Sequence, residues 1–97
     1  MPSFRVTATI GRLHPGVAPA SVLPSAADAA RDLATVETFD VGVVAGTARI
    51  TVRFTADDEA QARRVADHVL ATTGALADLS APGLTRRYGA RWHPVGP

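Results

Sequence analysis

Arg5, Arg49, Arg53, Arg87 and Arg91 make up half of the basic residues in this chain of 97, and their positions allow them to act together. A guanidinium presents a planar fork of N–H donors that fits a carboxylate or a phosphate. Arginines gathered on one surface therefore make either an anion site or a charged protein interface. Asp40 and His93 are the weak candidates for moving a proton, with Arg49 as the clamp for an anionic substrate. His14, His68 and His93 lack metal-ligand spacing to one another, and the chain has no cysteine. No metal site, disulfide or cofactor is expected. There is also no Ser-His-Asp succession and no phosphate-cradling glycine motif, so the chain is expected to bind rather than to catalyse.

These side chains are only as close as the elements beneath them allow. Phe4, Val6, Ala8 and Ile10 alternate with Arg5, Thr7 and Thr9, the period of a half-buried strand. Gly11 to Val22 reads as a long turn-rich loop, followed by a helix from about Pro24 to Ala34 with Pro24 in its first turn. Val36 to Val44 and Thr47 to Thr55 form a hairpin around Ala45-Gly46. Pairing Val44 with Thr47 sets Val43 against Ala48, Val41 against Ile50 and Phe39 against Val52, so each apolar residue shares a face with an apolar partner. The other face then carries Gly42 with Arg49, Asp40 with Thr51 and Thr38 with Arg53.

Asp57, Asp58 and Glu59 sit where a helix N-terminus favours negative charge, ahead of the stripe Ala62, Val65, Ala66, Val69 and Leu70. His68 lies off that stripe and is expected at the surface. Gly42, Gly46 and Gly74 read as bulge, turn and helix stop. Ala75 to Gly83 is expected as a loop. A last strand from Leu84 to His93 would place Arg87 and Arg91 on the outward face and Tyr88 and Trp92 inward, with 94–97 as a frayed tail. The core is expected to join Phe4, Val6, Ile10, Leu33, Phe39, Val41, Ile50, Val52, Phe54, Val65, Val69 and Leu70.

This succession predicts one α+β domain spanning 1–97, a ferredoxin-like βαββαβ sandwich whose four-stranded antiparallel sheet carries two helices on one face. Its first and third strands are expected in the centre. The architecture resembles RNA-recognition domains, ACT-type ligand sensors and dimeric α+β barrels that include small monooxygenases, and fold alone does not choose among them. RNA recognition is disfavoured, because the outward positions that would stack bases hold Thr and Arg instead of aromatic residues. Resemblance to a ligand sensor directs attention to the loop Gly11 to Leu23, and resemblance to the barrels to a cavity formed with a second protomer.

Ten basic residues against nine acidic ones give a formal charge of +1, too balanced for bulk attraction to nucleic acid or an anionic membrane. All ten are arginine, a usage that resembles the codon bias of a GC-rich bacterial genome. No apolar run approaches the ~20 residues that span a bilayer, and the N-terminus lacks a secretory apolar core. A cytoplasmic location is expected. The functional expectation is a homodimeric binding or interaction module whose Arg-rich open sheet face serves self-association or holds an anionic small molecule. The alternative is a small dimeric barrel-type enzyme acting on an organic substrate by proton transfer or monooxygenase-like chemistry.

Overall fold

Alternating sequence becomes strand in the computed structural model, which describes residues 1–96. The elements are β1 (Ser3–Leu13), α1 (Val22–Arg31) entered through a 3-10 turn at Pro19–Ser21, β2 (Thr35–Val44), β3 (Thr47–Thr55), α2 (Glu59–Gly74), β4 (Ala77–Tyr88) and β5 (Arg91–Pro94). The five strands form one antiparallel sheet in the order β2-β3-β1-β4-β5. Two helices pack against one of its faces, giving an α+β fold.

The expected four-stranded sheet is thus corrected to five strands, with β1 in the middle between β3 and β4. The difference arises at the C-terminal end. Gly89 adopts φ +60°, a conformation that costs glycine nothing, and folds the predicted single strand Leu84–His93 into the β4–β5 hairpin. β4 also begins earlier than expected, at Ala77, so most of the predicted loop is strand. Pro82 fits there because β4 bulges: Thr7 pairs with Gly83 but Thr9 with Ser80, and Ala81 takes φ +48° in the excess residue stretch.

The β2–β3 register has Val44 against Thr47, Val43 against Ala48, Val41 against Ile50 and Phe39 against Val52, as apolar matching requires. Ala45 and Gly46 both have positive φ, the two-residue turn that suits the strand twist. The bulge lies at Glu37 instead of Gly42: Val36 pairs with Phe54 and Thr38 with Arg53, leaving Glu37 as the extra residue.

Helix α2 starts on a reciprocal cap. Asp58 accepts from the Gln61 N–H at 2.8 Å, and the Gln61 side-chain oxygen accepts from the Asp57 N–H at 2.7 Å. Its stripe of Ala62, Val65, Ala66 and Val69 is fully buried against Phe4, Val6, Ile50, Val52 and Phe54. The Phe4 and Phe54 rings stack at 5.9 Å in the centre of this core. Buried Thr73 is satisfied by donating to the Val69 carbonyl at 2.7 Å.

Ile10 and Leu70 pack at the rim of the core, but Leu33, Phe39 and Val41 do not join it. Helix α1 ends at Arg31, earlier than predicted, with the Arg31 guanidinium 5.1 Å from the Phe39 ring. The helices nevertheless leave β2 exposed along nearly its whole length, with Phe39 39%, Val41 54% and Val43 77% accessible. At the other edge, Pro94 belongs to β5, the Val95 N–H donates to the Leu84 carbonyl at 2.9 Å, and Arg63 donates to the carbonyls of Val95 and Gly96. The last residue of the expected tail 94–97 lies outside the described residues. No described helix is long and apolar enough to cross a membrane.

Candidate functional site

The face of the sheet away from the helices carries a shallow cleft of about 490 Å³ lined by Arg5, Thr7, Thr38, Asp40, Arg49, Thr51, Arg53, Thr85 and Trp92. Strand alternation puts them there: Arg5 and Thr7 on β1 pair with Arg53 and Thr51 on β3, and Arg5 pairs with Thr85 on β4. Arg5, Arg49 and Arg53 thus converge as the alternation predicts.

Arg49 is the most firmly positioned of the three. Its Nη1 donates to Thr9 Oγ1 at 3.0 Å and to the Ala81 carbonyl at 3.3 Å, while Nη2 donates to Thr7 Oγ1 at 2.8 Å. The side chain therefore reaches from β3 across β1 to the bulge of β4. All three acceptors are neutral, so the positive charge is held in place without being cancelled by a carboxylate. The Nε–H and the remaining Nη2 hydrogen have no acceptor among the described residues, and Arg49 is only partly buried.

Arg53 is held differently. Its Nε donates to Glu37 Oε1 at 3.3 Å, and the Ser3 hydroxyl donates to the same oxygen. Glu37 is a site residue that sequence alternation misses, because the bulge that turns it toward Arg53 leaves no trace in the hydrophobic pattern. Its one available signal was the acid placed one residue from the Thr38–Arg53 pair.

Trp92 was also misplaced by the single-strand reading. The hairpin sets Trp92 opposite Arg87, on the open face, and sets Arg91 opposite Tyr88. The Arg5 guanidinium lies 3.8 Å from the Trp92 ring centroid, with Arg53 at 5.3 Å. Such packing stabilises an arginine while leaving its N–H rim available. Neither Tyr88, half-exposed, nor Trp92 is a core aromatic.

Two predicted arginines stand apart from this group. Arg87 is drawn to the hairpin turn, where its Nε donates to the Gly89 carbonyl at 2.6 Å. Arg91 falls on the helix side of the sheet with Tyr88 and Arg86, since directly paired residues share a face. Its expected place on the open face is corrected by the turn at Gly89, which reverses the alternation.

Asp40 lies at the β2 rim of the cleft opposite Thr51, exposed and without an ion-pair partner among the described residues. His93 sits on β5 opposite Arg86, with its ring edge-on to Tyr88 at 5.4 Å. The two weak catalytic candidates therefore occupy opposite edge strands and opposite faces, so one protomer cannot join them at a reacting atom. Among the described residues there is no cluster of three or more potential metal ligands.

The remaining histidines join loops and helices. His68 Nε2 lies 3.1 Å from Asp32, linking α2 to the end of α1. His14 contacts the Ala75 carbonyl through Nδ1 and Asp78 through Nε2, each at 3.0 Å. Both partners are acceptors, so the ring satisfies both contacts only as the doubly protonated imidazolium. The Asp78 bond, followed by the Ala75 carbonyl, raises the His14 pKa above its ordinary 6.5.

No protein-family model matches this chain, and neither the curated proteins nor the solved structures contain a match to it.

Proposed function

We propose that the chain is a binding module whose open sheet face holds a small anion, a carboxylate or a phosphate, on Arg49 with support from Arg5 and Arg53. The observation that carries this reading is the anchoring of Arg49. Three neutral oxygens fix its guanidinium over the sheet, yet its Nε–H and one Nη2 hydrogen have no acceptor among the described residues, and the cleft that Arg49 lines contains no acid bonded to it. A pre-positioned donor edge loses little conformational freedom on binding, which is the condition for useful affinity from a small contact. The threonine hydroxyls of the cleft add neutral donors and acceptors around the charge.

The finer description of the fold as a ferredoxin-like sandwich accompanies this proposal. The succession from β1 to β4 supports it, and β5 is an addition beyond β4 that supplies Trp92 to the site. Residence in the cytoplasm of a bacterium belongs to the same reading and rests on sequence character alone.

The test is a heteronuclear NMR titration with inorganic phosphate and with citrate at low ionic strength. Shifts concentrated at Thr7, Arg49, Thr51 and the Trp92 indole N–H support the reading. Shifts spread over all exposed arginines, or confined to Arg63 and Arg64 on α2, overturn it.

A further inference from the structure

We infer that β2 is a dimerisation edge, pairing antiparallel with β2 of a second copy about a two-fold axis at Val41. This surface is separate from the anion cleft and does not depend on it.

β2 ends the sheet, and its ten residues contain no proline, lysine or arginine; its bulge at Glu37 lies before the stretch Phe39–Val43, where Asp40 is the one charge. The two-residue turn makes Val44 and Thr47 a hydrogen-bonded closing pair. Alternation along the ladder then commits the main chain of Gly42 and Asp40 to β3 and turns the N–H and C=O of Phe39, Val41 and Val43 outward. The side chains of these same three residues form the exposed apolar row on the helix side of the strand. Unpaired backbone and uncovered apolar surface therefore coincide at alternate positions of one strand.

The sequence of the strand selects a copy of itself as the occupant. With Val41 opposite the partner's Val41, Phe39 meets the partner's Val43 and Val43 meets the partner's Phe39. Every outward-facing backbone group in that stretch finds its complement. On the open face, Asp40 then falls opposite the partner's Gly42, and Gly42 has nothing within 4 Å of the position a side chain would take. A two-fold axis one residue earlier would set Asp40 directly against the partner's Asp40, where like charges are unfavourable. An axis one residue later would push Phe39 onto the partner's turn at Ala45. Val41 is the centre that uses all three outward residues and keeps the carboxylates diagonal to each other.

Three measurements test this on the full chain. The first is mass by light scattering, where the expected result is twice the chain mass. Val43→Lys, at a position 77% exposed and outside the core, is expected to give the monomer mass with an unchanged circular dichroism spectrum, and with a thermal midpoint that no longer depends on protein concentration. The third uses the lack of native cysteine. Hydrogen-bonded antiparallel partners lie about 5.5 Å apart at Cα, within disulfide reach. Val41→Cys is therefore expected to cross-link to its own copy under mild oxidation, and Asp40→Cys, offset from its own copy, is expected to cross-link far more slowly. A monomeric wild-type chain, a dimer that survives Val43→Lys, or equal cross-linking at both positions would overturn the inference.

Discussion

The Arg5 guanidinium lies 3.8 Å over the ring of Trp92, which joins the first strand to the last and puts the chain's one tryptophan in the lining of the open-face cleft. The Arg53 guanidinium lies 5.3 Å from the centroid of the same ring. Trp92 emission is therefore expected to respond to phosphate or citrate. Replacing Trp92 by Ala removes a contact worth about 0.5–2 kcal/mol and is expected to weaken anion binding roughly 2- to 30-fold, read by calorimetry. Equal affinities in the two proteins would mean that the stack plays no part in holding Arg5.

A tight backbone approach supports Arg49 from below. A side-chain carbon added at Gly83 would come within 2.9 Å of Thr7 Oγ1, the oxygen that accepts from Arg49 Nη2. Gly83→Ala is expected to turn the Thr7 hydroxyl aside and loosen Arg49, lowering anion affinity more than stability. Thr7→Val, which removes the same acceptor without crowding the strand, should reproduce the loss of affinity. If Thr7→Val binds as well as the native chain, the hydroxyl does not position Arg49.

Much of this site can be read from sequence, and the failures have physical causes. The β2–β3 pairing followed from apolar matching, because a one-residue slip would set Phe39, Val41 and Val43 on the opposite face of the sheet from Ile50 and Val52. Arg5, Arg49 and Arg53 followed from the same alternation. Trp92 and Arg91 were assigned to the wrong faces because Gly89 turns the chain inside a stretch whose alternation continues unbroken in the letters. Glu37 escaped because a bulge is a register event between two strands and is invisible in either one alone. Leu33, Phe39 and Val41 read as core since they are apolar at the right period. Their exposure depends on how far the helix layer reaches, which no local pattern records.

The two sides of the β2–β3 hairpin should therefore differ sharply in mutational cost. Ile50 is 2% exposed, and Ile50→Ala is expected to lose on the order of 2–5 kcal/mol in urea unfolding. Val43→Thr, at a position 77% exposed in one copy, is expected to change the unfolding free energy of the dissociated chain by less than about 0.5 kcal/mol. Similar losses at both positions would contradict the placement of the helix layer.

Stability should also depend on pH through His14. Its folded pKa is raised by Asp78 and the Ala75 carbonyl, so protonation favours the folded chain. The advantage of the native chain over His14→Gln is expected to be full below the unfolded value of about 6.5 and to fade as pH rises through the folded midpoint. Urea midpoints of the two proteins across that interval check this, and an NMR titration of the His14 ring should show a midpoint above 6.5. An advantage that instead grew with pH would reverse the assigned sign.

On the proposed function, Arg49 is a fixed, uncancelled anion-binding fork. Calorimetric titration of phosphate into the native chain and into Arg49→Gln, at one low salt concentration, tests it most directly. Loss of charged hydrogen bonds worth about 1.5–3 kcal/mol corresponds to an affinity roughly 10- to 150-fold weaker in the variant, with circular dichroism unchanged. Equal affinity in the two proteins, or no binding by the native chain, would contradict the account.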